Sequence, residues 1–175
     1  MRFFALLAFA LAPVAAHAAE PPCVTSAEFT GLSTYALPSI ITGTAQRCAT
    51  ALPVDAWLRH NGVLLAARYS IAKPAAWPVA KAAFFKITAD RANADGTNLL
   101  KSLPDSSLQP MLDALISGMI SQHLPPERCG MIDRLVLLFA PLPPENTAEL
   151  IALAAGLQAK TGRAKLGNFS ICPAQ

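Results

Sequence analysis

Four cysteines, Cys23, Cys48, Cys129 and Cys172, follow an apolar leader, and these two features together restrict the fold more than anything else in the chain. The leader consists of Met1 and Arg2, an apolar run from Phe3 to Ala16, and then His17 and Ala18. One positive charge, a short hydrophobic stretch and small residues around the cut are the parts of a secretory signal peptide. The run is shorter than the roughly 20 apolar residues that span a bilayer. We therefore expect residues 1–18 to be a signal peptide and 19–175 to form a single helical domain, located in the periplasm or secreted. Glu20, Pro21 and Pro22 replace the small apolar residues of a lipoprotein signal, so no lipid is expected on Cys23.

An even cysteine count behind an export signal reads as two disulfides, because the cell envelope is oxidising. Cys129 invites a second reading. It lies in the first turn of an expected helix, where the positive end of the dipole can lower a thiol pKa and create a reactive group. No second cysteine stands three residues away as in a thiol oxidoreductase motif, and a free Cys129 would leave an odd number to pair. All four are expected to be structural.

Four cysteines allow three pairings. Residues 126–140 and 144–160 read as two helices joined by a tight Pro-Leu-Pro-Pro corner, so the second returns towards the start of the first. That brings the tail carrying Cys172 near Cys129 and favours Cys129–Cys172 with Cys23–Cys48. The nested pairing, Cys23–Cys172 with Cys48–Cys129, stays open. Either one adds about 2–4 kcal/mol per bridge.

The fold expected is all-α: five to seven short, proline-punctuated helices in one compact domain. Thr25 and Glu28 have capping-box spacing, and Val24 and Phe29 sit where a hydrophobic staple would. Pro38 removes a backbone donor and disfavours helix at Leu37, so a break is expected there. A straight helix would hold Cys23 and Cys48 about 36 Å apart. Asp55 reads as the N-cap of a helix reaching Gly62, with a further helical stretch after it. Pro78 reads as the start of the next helix. Residues 88–98 read as a solvated loop. They approach a calcium loop, but Arg91 and Ser102 occupy its first and last ligand positions, so no metal is expected.

The clearest period is Leu108, Met111, Leu112, Leu115, Ile116, Met119 and Ile120, with Gln109, Asp113, Ser117 and Ser121 opposite. Its methionines read as core filler. Residues 131–140 are apolar almost all round and read as the buried centre of a bundle. A last helix is expected from Pro144 to near Gly162.

The motifs for chemistry are incomplete. His60 and His123 have no metal-ligand spacing. Residues 31–35, Gly-Leu-Ser-Thr-Tyr, begin a nucleophile elbow but have Tyr35 where its second glycine belongs. No phosphate loop is present, and the basic cluster at 160–165 is explained by helix-end electrostatics. Losing Arg2 takes the net charge from +3 to +2, too little to imply nucleic acid. No catalytic, metal or cofactor residue stands out. The first functional expectation is a non-catalytic binding module for a small apolar ligand or an envelope partner. The alternative is a small hydrolase drawing on Glu28, Asp55, His60, Asp90 and Asp95, brought together only in three dimensions.

Overall fold

The capping box forms as its spacing implies. Glu28 donates its backbone N–H to Thr25 Oγ1 at 3.2 Å, and Thr25 returns its own N–H to Glu28 Oε2 at 2.8 Å. This opens α1 (Ser26–Cys48) in a computed structural model that describes residues 23–88, 94–160, 165–166 and 169–172. Val24 and Phe29, the two staple positions, are both buried beside Ala152 and Ile171.

Pro38 does not break α1, which runs unbroken to Cys48. The six consecutive residues 34–39 are all buried, so this stretch is enclosed on every side. Around it pack α2 (Trp57–Ser70), α3 (Lys73–Thr88), α5 (Asp105–His123) and α7 (Pro144–Lys160). Burying a large apolar side chain contributes about 1.5–3 kcal/mol. Leu37, Ile41 and Tyr35 alone therefore outweigh the one backbone bond that the proline forfeits. The remaining helices are α4 (Ala94–Ser102) and α6 (Cys129–Phe139), the latter entered through a single 3-10 turn at Pro126–Arg128.

The straight α1 decides the disulfides. Cys23 and Cys48 lie at opposite ends of it, so the favoured pairing of these two, with Cys129–Cys172, is wrong. The bonds are Cys23–Cys172 and Cys48–Cys129, with Cα separations of 5.0 and 5.5 Å. The tail returns to the start of α1 rather than to α6. Cys172 donates its N–H to the Val24 carbonyl, next to a parallel bridge between Val24 and Ile171. A small antiparallel ladder, β1 (Lys165–Leu166) with β2 (Phe169–Ser170), precedes it.

Other expectations are corrected too. Gly62 lies inside α2, where its missing side chain lets Ala45 of α1 approach. Asp55 does not cap α2, whose N-cap is Ala56 with no side-chain bond of its own. α3 starts at Lys73 and contains Pro78. Residues 94–98, read as loop, belong to α4, while 89–93 lie outside the described residues. α6 is not the buried centre: Met131 is 56% and Leu138 71% exposed. It lies on the outside, tied by Cys48–Cys129, by Asp133 to the start of α2, and by Arg68 and Tyr69 to the carbonyls at its end. The central rod is α1. Seven helices among the described residues, fastened by two disulfides, make an all-α compact domain.

Candidate functional site

Helices α1 and α5 run parallel, and their facing residues keep one register. Tyr35 donates its hydroxyl to the Gln109 carbonyl at 3.3 Å, and four residues on, Ser39 donates to Asp113 Oδ1 at 2.9 Å. Four residues further, a Cβ on Gly43 would lie 2.6 Å from the Ser117 carbonyl oxygen. So the side of α5 that carries Gln109, Asp113 and Ser117 lies against α1. Leu108 and Leu112 are buried beside them, while Met111, Leu115 and Met119 are exposed. The expectation that these methionines fill the core is therefore corrected. Periodicity located a polar and an apolar face of α5, but the core takes the edge between them, with Leu108 and Leu112 from the apolar face.

Lys73, the first residue of α3, completes the cluster. Its ammonium reaches both Asp113 oxygens at 2.5 Å and stands 4.4 Å from the centre of the Tyr35 ring. The lysine side chain is only 16% exposed, so the pair is screened less than one on the open surface. Burial, followed by the charge of Asp113, pushes the Tyr35 hydroxyl pKa well above its ordinary value. Tyr35 thus stays a neutral donor to Gln109.

This cluster floors a cleft of about 440 Å³ between α1, α2 and α5. The wall from α1 and α5 is mostly polar, with Ser39, Thr42, Ser117 and the Lys73–Asp113 pair beside Pro38. The wall from α2 is mostly apolar, with Val63, Ala66 and Ala67 beside Ser70. The size falls within the roughly 300–1,000 Å³ of small-molecule sites. A hollow of about 610 Å³ on α6 is larger, but its residues, among them Met131, Leu135 and Leu138, all come from that one helix. It is a helix face, whereas the cleft draws walls from several elements.

The residues singled out earlier are placed as follows. All four cysteines are in disulfides. Glu28 is held by its cap and by Lys86, whose ammonium lies 2.9 Å away. His60 bonds the Val54 carbonyl at 2.7 Å, Asp55 is exposed, and His123 bonds the Met119 carbonyl one turn back in α5. The Gly-Leu-Ser-Thr-Tyr stretch lies inside α1. Asp90, the side chain of Asp95 and those of the basic cluster at 160–165 lie outside the described residues. No hydrogen bond or ion pair links Glu28, Asp55 and His60 to one another among the described residues. Sequence reading missed Ser39, Lys73 and Asp113. The one signal for them was the four-residue polar spacing of Asp113 and Ser117, matched by Ser39 and Gly43.

What the fold and the cleft define is a disulfide-fastened helical domain with a half-polar pocket against its central helix. Comparison with models of protein families, with curated proteins and with solved structures finds no match to this chain.

Proposed function

We propose that this chain is an exported, non-catalytic binding module, its signal peptide removed after Ala18, that takes a small ligand with an apolar body into the cleft between α1, α2 and α5. The observation that carries this is the two-sided wall: Val63, Ala66 and Ala67 face the Ser39–Asp113–Lys73 cluster across about 440 Å³. The polar cluster is already self-satisfied. Ser39 gives its proton to Asp113, and Asp113 is neutralised by Lys73, an arrangement that orients a ligand but does not sharpen a nucleophile. The hydrolase reading draws no support from Glu28 or His60, whose polar atoms serve a helix cap and a backbone carbonyl.

Native mass spectrometry of the mature protein, purified from the cell envelope without detergent, tests the proposal. A retained small mass is expected, and it should disappear in Ala67→Trp, which fills the apolar side. A protein that carries no such mass, or carries it undiminished in Ala67→Trp, would overturn the assignment.

A second reading rests on α6, which exposes Met131, Leu135 and Leu138 along one side while a disulfide and three side chains fix its position. A rigid apolar helix face suits an envelope partner protein. Leu135→Glu would then abolish co-purification of that partner and leave the cleft ligand in place.

A further inference from the structure

The hydrogen-bond accounting of the cleft points to the class of ligand it takes: an uncharged molecule carrying hydroxyl groups, with an apolar flank. This rests on the cleft being the binding site. A hydroxyl bonded to a carbonyl must be the donor, since the carbonyl has no proton to give. Thr42 gives its proton to the Pro38 carbonyl at 2.9 Å, Ser70 to Ala66 at 2.8 Å and Ser117 to Ala114 at 3.3 Å. Ser39 gives its proton to Asp113. Each hydroxyl on the cleft wall therefore has its proton committed and only lone pairs to offer.

The charged pair is largely committed to itself. Two of the three Lys73 protons go to the two Asp113 oxygens, and its head is seated over the Tyr35 ring. Asp113 accepts from both Ser39 and Lys73 at Oδ1 and from Lys73 at Oδ2. The cleft consequently presents several acceptors and one donor, the remaining Lys73 proton. An anion would meet lone pairs and the Asp113 carboxylate, which already neutralises the Lys73 ammonium. A cation would find acceptors but would have to sit beside the Lys73 ammonium. A neutral hydroxyl-bearing group meets neither penalty, and its carbon skeleton can rest on Pro38, Val63 and Ala66.

A matched series of probes tests this on the full mature chain. Heptane-1,2-diol, hexanoate and pentylammonium each carry one pentyl chain and differ only in the head. Backbone amide NMR titration should give saturable shifts around Ser39 and Ser117 with all three, with heptanediol binding roughly fivefold more tightly than either ion, as one well-placed hydrogen bond allows. Ser117→Ala should weaken heptanediol by a similar factor and leave hexanoate unchanged. Equal or tighter binding of hexanoate or pentylammonium, or a Ser117→Ala variant indifferent to heptanediol, would overturn the ligand class while leaving the cleft as the site. No saturable shift with any probe would overturn both.

Discussion

Gly43 of α1 and Ser117 of α5 meet backbone to backbone: a Cβ at position 43 would stand 2.6 Å from the Ser117 carbonyl oxygen and 3.0 Å from its Cα. Neither atom is the loose end of a side chain, so the two helices must part if the site is filled. Gly43→Ala is expected to cost about 1–3 kcal/mol by overpacking. Gly118, the neighbour of Ser117, has nothing within 4 Å of where its Cβ would lie. Gly118→Ala should gain up to about 1 kcal/mol from helix propensity. Urea denaturation of both variants checks the contrast. Equal effects would mean that α1 and α5 are not in this register.

Asp133 of α6 supplies the cap that α2 lacks in its own sequence, accepting the Leu58 backbone N–H at 2.6 Å. Asp133→Ala should therefore destabilise by about 0.5–2 kcal/mol, as the loss of an N-cap does, while Asp133→Asn retains most of the stability. Thermal unfolding of the two variants distinguishes a cap from a surface charge.

The Lys73–Asp113 pair should behave as a unit. Asp113→Ala leaves a mostly buried ammonium without its carboxylate and Ser39 without its acceptor, an expected cost of about 1–3 kcal/mol. Replacing both charges, with Lys73→Met added, removes the stranded ammonium and should cost less than Asp113→Ala alone. A double variant whose loss equals the sum of the two single losses would contradict this coupling.

Acid should loosen the start of α1. Burial on its own would raise the pKa of Glu28, but Lys86 and both Thr25 bonds more than offset it, and the carboxyl lies below its ordinary 4.5. A depressed folded-state pKa means that the stabilisation is complete above the unfolded value and is lost as pH falls through the folded one. Melting temperature should therefore decline as pH drops below about 4.5, and Glu28→Gln should flatten that decline. An unchanged profile in Glu28→Gln would remove Glu28 from the acid response.

What could be read in the sequence was local. Thr25 and Glu28 are three residues apart, and their cap forms within one turn, so no distant contact can change it. Pro144 opens α7 for the same reason: a first-turn proline gives up a bond that is not made there anyway. The larger misreadings concern matters settled at a distance. Whether Pro38 breaks α1 depends on what surrounds Leu37 and Ser39, and those neighbours come from four other helices. The apolar composition of α6 says that it prefers cover, not that the fold provides any. Lys73 and Asp113 are 40 residues apart, and neither has a local pattern that names the other. The wrong disulfide pairing came from expecting α7 to return the tail to Cys129, and the expected break at Pro38 allowed it.

That dependence identifies the decisive measurement. The cleft exists only if α1 passes straight through Pro38, because Pro38, Ser39 and Thr42 form one of its walls. Trypsin cuts after Arg47, Arg59, Arg128, Arg134 and Lys165, which places each cysteine on a different peptide. Non-reducing peptide mapping of the protein should join residues 48–59 to 129–134, and the peptide ending at Arg47 to 166–175. A bond between the peptide ending at Arg47 and 48–59 would require α1 to fold back on itself, and both the central rod and the cleft beside it would be lost.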